Sequence, residues 1–302
     1  MNDPRVAPDV GATATVRQVI DELTETLQTG GVADARRTAH DIITTLLSMP
    51  RSWALRHRDV TLDPAVIPPA RKAAARLVAG APFAYAVGRV TFRHFELHVD
   101  PRVLIPRPET EVLVEEILTR FRPRVGVGKD WGTAVEIGTG SGAIALSLAA
   151  EGRFSSVVAT DASLDALIVA KKNAELVASA LHCPVEFRPG SLLAPVRDLR
   201  PRLIVSNPPY IAFDEIGLLP ASVRDWEPPA ALLSGSQGLA ATAAIVQEGA
   251  SLLEPGGILA LEVDERRASV VAEMMMSQGN YIDVGVRLDL TGRERFVFAS
   301  RA

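Results

Sequence analysis

Cysteine is nearly absent: Cys183 is the only one in 302 residues. An intramolecular disulfide and a cysteine-based metal cluster are therefore excluded, and a reducing cytosol is the natural compartment. The simplest role for Cys183 is that of a small buried apolar side chain. His40, His57, His94, His98 and His182 are scattered without metal-ligand spacing, so no metal site is expected and most read as surface imidazoles. Missing too is any stretch near the roughly 20 consecutive apolar residues of a membrane span. The opening segment, with Asp3, Pro4, Pro8 and Asp9, lacks the apolar centre of a secretory signal and reads as a frayed tail, so the chain is expected to be cytoplasmic. Nor is there a surplus of positive charge. Lys and Arg total 32 against 36 Asp and Glu, a net of −4, which argues against a whole-surface grip on nucleic acid and leaves room only for a local basic patch.

What is present is the composition of an ordinary soluble protein, 47% apolar and 23% charged. The length suits about two domains of roughly 100 to 200 residues each. Val16, Val19, Ile20, Leu23 and Leu27 recur at helical steps until Gly30-Gly31. Asp34 is placed to cap a second helix, whose stripe is Ala39, Ile42, Ile43, Leu46 and Leu47. Pro64, Pro68 and Pro69 punctuate a third segment, helical through Ala73 to Leu77. Between Pro82 and Pro106 the residues Val87, Val90, Phe92, Phe95, Leu97 and Val99 alternate with polar ones, which predicts a β-hairpin. Thr110 to Phe121 returns to helical spacing, and Arg122 to Gly132 reads as a loop.

From Ala134 onward short apolar strands alternate with helices, the pattern of a mostly parallel sheet covered on both faces. Strands are predicted at Ala134–Gly138, Ser156–Asp161, Val185–Arg188, Leu203–Ser206, Gly257–Val263, Ile282–Leu288 and Arg295–Ala299. The fold expected is thus α/β, a seven-stranded Rossmann-like sheet domain, its last strand antiparallel, behind a small helical one. The boundaries expected are 1–80 for the helical domain, 81–108 for a β-hairpin linker and 109–302 for the sheet domain.

Two segments carry chemistry. Glu136-Ile137-Gly138-Thr139-Gly140-Ser141-Gly142 leaves the first sheet strand and enters a helix near Ala143, where glycines allow a tight turn and amides at the helix start face a ligand. No Gly-Lys-Ser/Thr ending follows, and Ala143 in the sixth position meets only the looser dinucleotide fingerprint, so ATP and NAD fit poorly. Asp161 closes the next strand about 20 residues later, where a carboxylate can accept hydrogen bonds from both ribose hydroxyls; it can also cap the helix after Ala162.

The sharper segment is Ser206-Asn207-Pro208-Pro209-Tyr210, after apolar Leu203, Ile204 and Val205. Two prolines fix their own φ and restrict the residue before them, so Asn207 is presented rigidly at the strand's carboxyl edge. The Asn207 side-chain oxygen and the Pro208 carbonyl can accept both N–H bonds of a substrate –NH2, while Tyr210 stacks on a planar amide or base. No general base is evident.

Together these residues resemble the class I S-adenosylmethionine-dependent methyltransferases, and the Asn-Pro-Pro-Tyr form narrows the resemblance to enzymes acting on planar nitrogens. The chain is similar from about residue 16 onward to the HemK/PrmC-type protein-glutamine N5-methyltransferases. That similarity rests on Pro82 to Gly88, Leu104-Ile105-Pro106-Arg107-Pro108-Glu109-Thr110-Glu111, the glycine turn, Asn207 to Tyr210, Trp226-Glu227-Pro228 and Gly292-Arg293-Glu294-Arg295.

The resemblance implies S-adenosyl-L-methionine as methyl donor and, as substrate, the glutamine of the Gly-Gly-Gln loop in peptide chain release factors, held partly by the helical domain. It implies catalytic roles for Asn207, Pro208 and Tyr210. Cofactor contacts fall to Glu136, Gly138, Thr139, Gly140, Gly142, Asp161, Ser191 and Asn207, and substrate contacts to Arg107, Glu109, Pro208, Pro209 and Tyr210. Methyl transfer from a sulfonium has a good leaving group, so alignment supplies much of the acceleration.

The sequence departs from the family pattern twice. Glu136-Ile137 stands where Asp-Leu is usual, and Gly190-Ser191-Leu192 where an acidic residue near the adenine is usual. Other readings are a ribosomal-protein glutamine methyltransferase, an adenine-N6 nucleic-acid methyltransferase, which needs a basic surface and a base-flipping pocket, and a noncatalytic S-adenosylmethionine-binding module. An oxidoreductase has only the loose fingerprint in its favour. Direct nucleic-acid binding, a membrane and a metal are not expected.

Overall fold

The computed structural model describes residues 14–122 and 130–302; the expected N-terminal tail and most of the Arg122 to Gly132 loop lie outside them. The chain divides into two compact units, Met1–Gly88 and Arg89–Ala302.

The first unit is helical. Helix Val16–Thr29 starts at a capping box: the Gln18 N–H donates to Thr15 Oγ1, and the Thr15 N–H donates to the Gln18 side chain. Its stripe of Val16, Val19, Ile20, Leu23 and Leu27 is buried against Ala39, Ile42 and Ile43 of helix Ala35–Leu46 and Ala70, Ala73 and Ala74 of helix Ile67–Val78. The small alanines bring the third helix close. Asp34 does precede Ala35, but its φ is 51° and its side chain makes no capping bond, so the expected cap is not formed. Val87 is likewise corrected. It ends the short helix Phe83–Val87, stopped by Gly88 at φ 79°, and only by coincidence falls in phase with the strand alternation behind it.

The second unit opens with the hairpin β1 (Arg89–Phe92) and β2 (Phe95–His98), closed by the facing pair Phe92 and Phe95. Helix Pro108–Phe121 follows, with Pro108 in its first turn and Glu109 and Glu111 placed favourably for the helix dipole. The sheet strands are β3 (Thr133–Ile137), β4 (Ser156–Asp161), β5 (Val185–Pro189), β6 (Leu203–Ser206), β7 (Ile258–Glu262), β8 (Tyr281–Leu288) and β9 (Glu294–Arg301). They form one seven-stranded sheet in the order β5-β4-β3-β6-β7-β9-β8, in which β9 runs antiparallel to both neighbours.

The sheet is covered on both faces. Ala134, Leu203 and Val205 point into one apolar cluster with Leu113, Ile117 and Ile144, whereas Val135, Ile137 and Ile204 point into another with Ile245, Val246 and Val271. All four residues of β6 are buried, which is why Leu203, Ile204 and Val205 read as an unbroken apolar run before Ser206. The chain runs outward from β3 to β4 and β5, then returns to β6 on the other side of β3. That reversal opens a crevice beyond the carboxyl ends of β3 and β6, the usual position of a ligand in such sheets.

Candidate active site

The glycine turn leaves β3 at this crevice. Gly138 and Gly140 both have positive φ, and a Cβ built on either meets no atom within 4 Å, so the backbone conformation demands glycine and the outer face stays open. Gly142 differs, because its face packs toward Leu146 and Ala170. The turn's own amides are largely engaged, whereas Ser141, Ala143 and Ile144 at the helix start line the cleft. Gly138 and Thr139 N–H donate to the Thr160 carbonyl, Gly142 N–H to the Thr139 carbonyl, and Gly140 N–H to Asp161 Oδ2 at 2.9 Å. These four donors are thus used within the fold, chiefly by the neighbouring strand β4.

What the turn offers instead is acid. Glu136 is only 2% exposed, and its Oε2 accepts from Thr139 Oγ1 at 2.6 Å and Ala145 N–H at 2.9 Å. Burial pushes its carboxyl up to about 8, against the pull of those two hydrogen bonds, and the nearby Asp161 adds to the rise. Among the described residues it has no ion-pair partner, and a cationic ligand in the crevice would favour its ionised form. Asp161 is held by the N–H groups of Gly140 and Ser163 and does not cap the next helix, a task that falls to Ser163. Ser191 is exposed just after β5, next to Gly190, whose N–H donates to the Asp161 carbonyl.

Asn207 follows β6 at the crevice. It lines a narrow cleft with Glu136, Gly138, Thr139 and Gly140, and also a wider one of about 360 Å³ with Tyr210, Leu219, Val223 and Arg266. Leu104 and Arg107 border both clefts. Pro208 is buried and Pro209 half-buried, as expected of residues that set the backbone. The Asn207 Nδ2 donates to Thr110 Oγ1 at 3.3 Å. Tyr210 is turned so that its hydroxyl accepts from Arg295 Nη2 at 3.1 Å, and the same guanidinium lies 5.3 Å from the ring centre. Burial and the Glu262 charge raise the Tyr210 hydroxyl's pKa, keeping it neutral.

The two charged residues of the proline loop separate. The Arg107 guanidinium donates to Glu227 Oε1 at 2.5 Å, and the 1%-exposed Glu227 side chain also accepts the Ile105 N–H. Glu109 lines neither cleft and pairs with Arg293 at 3.2 Å. Sequence reasoning did not place Thr110, Glu227, Glu262 or Arg295 at the site. For Glu262 one signal was there to find, a carboxylate closing an apolar strand.

Two family descriptions match the chain: the PrmC N-terminal domain over residues 18–88 and the Methyltransferase small domain over residues 109–217. The release factor glutamine methyltransferase of Moorella thermoacetica is 38% identical over 95% of this chain and 99% of its own length. That of Deinococcus radiodurans is 36% identical over 95% and 99%. Among solved structures, the hMettl16 catalytic domain in complex with the MAT2A 3′UTR hairpin 1 matches with a TM-score of 0.52, at 17% identity over 78% of this chain and 80% of that one. That likeness concerns the fold alone. No described helix is long and apolar enough to cross a membrane. With identity above a third over nearly the whole of both chains, this protein belongs to the family of release factor glutamine methyltransferases.

Proposed function

We propose that the protein transfers a methyl group from S-adenosyl-L-methionine to the side-chain amide nitrogen, N5, of the glutamine in the Gly-Gly-Gln motif of peptide chain release factors, in the cytoplasm. The observation that carries this reading is the position of Asn207, on a rigid proline-bounded turn between an acid-lined glycine cleft and a wider, partly apolar one.

S-adenosylmethionine, when bound, supplies an electrophilic methyl group on a sulfonium. The residues that fit it are Glu136, Gly138, Thr139, Gly140 and Asp161, with Gly142 shaping the turn and Ser191 at the adenine end. The buried Glu136 carboxyl, which a cationic ligand would hold ionised, suits such a ligand. Asn207 Oδ1 and the Pro208 carbonyl accept the two N–H bonds of the substrate amide and point its nitrogen at the donor. Pro209 stiffens that loop, and Tyr210 packs on the planar amide and excludes water. Arg107, held by Glu227, borders the substrate side, while Glu109 pairs with Arg293. The helical domain, 1–80, is proposed to help hold the release factor, and residues 81–108 to lead into the transferase domain, 109–302.

Incubating a purified release factor with this protein and S-adenosylmethionine, then mapping the modified peptide by mass spectrometry, tests the reading. The expected outcome is a gain of one CH2 unit on the Gly-Gly-Gln glutamine. An unmodified release factor alongside a labelled ribosomal protein or adenine-containing nucleic acid would remove the substrate assignment and leave the methyltransferase.

A further inference from the structure

A carboxamide can present either oxygen or nitrogen to a substrate, and only the presented oxygen can receive the N–H bonds of a glutamine amide. Something must hold Asn207 in that orientation, and its own loop does not. Its Nδ2 donates to Thr110 Oγ1, on helix Pro108–Phe121, and its amide also interacts with the Glu262 carboxyl. Thr110 is 4% exposed and donates at 2.7 Å to Oε2 of Glu262, which is fully buried at the end of β7. Strands β6 and β7 run side by side with Ser206 opposite Leu261, which brings Asn207 next to Glu262.

We infer that Thr110 and Glu262 are positioning residues that set which end of the Asn207 amide faces the substrate. The inference rests on Asn207 being the group that receives the substrate nitrogen. An ionised carboxylate only accepts hydrogen bonds, so the single Thr110 hydroxyl proton goes to Glu262. Toward Asn207 the hydroxyl oxygen can then only accept. Asn207 answers with its NH2 and is left with Oδ1 toward the cleft. A buried negative charge thereby selects an acceptor, and with it an amide rather than a carboxylate substrate.

The groups facing Glu262 act in both directions on that charge. Arg295 Nη2 on β9 stands 3.4 Å from Oε1 and also donates to Tyr210, so one guanidinium steadies both the charge and the aromatic ring. Burial is the largest influence and, with Glu109, pushes the Glu262 pKa upward, while Thr110, Arg295 and Asn207 pull it down; the ionised form that sets the hydroxyl direction is the one the Arg295 guanidinium pairs with. Glu262→Gln undoes the selection. Its amide can accept from Thr110 only by turning NH2 against the Arg295 guanidinium, so the favoured arrangement donates to Thr110, whose proton then goes to Asn207 Oδ1.

The test compares binding of two release factors, one with glutamine and one with glutamate at the methylated position, by calorimetry, together with turnover of the first. The wild-type protein is expected to prefer the glutamine form. Thr110→Val, which keeps shape and deletes the hydroxyl, is expected to shrink that preference by about tenfold, the value of roughly one hydrogen bond, and to slow turnover by at least as much. Glu262→Gln should do the same, which keeps the test alive if Thr110→Val does not fold, and Thr110→Ser should behave as wild type. An absent preference in the wild-type protein, or one unchanged in both variants whatever their rates, overturns the inference. Asn207→Ala turning over at the wild-type rate would instead remove the reading of Asn207 on which it rests.

Discussion

Asn207 concentrates the chemistry in one carboxamide. Because it borders the glycine cleft without belonging to the turn, Asn207→Ala is expected to leave donor affinity within about twofold while lowering turnover by about 100-fold or more, the usual cost of losing a preorganised polar contact. Calorimetry with S-adenosylhomocysteine and a methyl-transfer assay separate the two, and a large loss of affinity with normal turnover would contradict the assignment. Arg107 has a different kind of importance. Arg107→Ala leaves the buried Glu227 carboxylate with only the Ile105 N–H among the contacts described, so stability should fall by about 1 to 3 kcal/mol in urea unfolding. A variant as stable as the wild type would show that solvent replaces the guanidinium.

Among the elements, the segment after Tyr210 depends on a backbone contact. Gly238 has φ 86°, and a Cβ there would fall 2.2 Å from the Tyr210 carbonyl oxygen. Gly238→Ala is therefore expected to cost about 2 kcal/mol or more, from the left-handed conformation and the clash together, and to reduce turnover by moving Tyr210. Unaltered turnover would show that the segment relaxes away from the site. The glycine turn holds the clearest pH response. The Glu136 carboxyl rises from 4.5 to about 8 on folding, so the folded state keeps a proton that the unfolded chain has lost. Its contribution must then decline as pH rises across that window and level off above it. Glu136→Gln should flatten the decline between about pH 5 and 8 in urea titrations. Glu262 shifts in the same direction, so the slope becomes shallower without vanishing. An identical slope in the variant would contradict the burial argument.

At the scale of the whole molecule, the elements and their order were legible in the sequence because their causes are local. The predicted strands Ser156–Asp161 and Leu203–Ser206 have the observed bounds, since β-branched apolar runs between turn residues leave little choice. Asn207-Pro208-Pro209-Tyr210 could be read directly, because proline limits the backbone on either side of itself whatever surrounds it. Only the tertiary structure decided what those residues touch. Thr110 lies 97 residues from Asn207 and 152 from Glu262, and Glu227 lies 120 from Arg107. Such pairings depend on which strands become neighbours and in what register, and no periodicity within a segment records that. The same holds for the glycine turn: its residue types announce a close turn, but whether its N–H groups face a ligand or are engaged by Thr160 and Asp161 is settled by how β3 and β4 lie side by side.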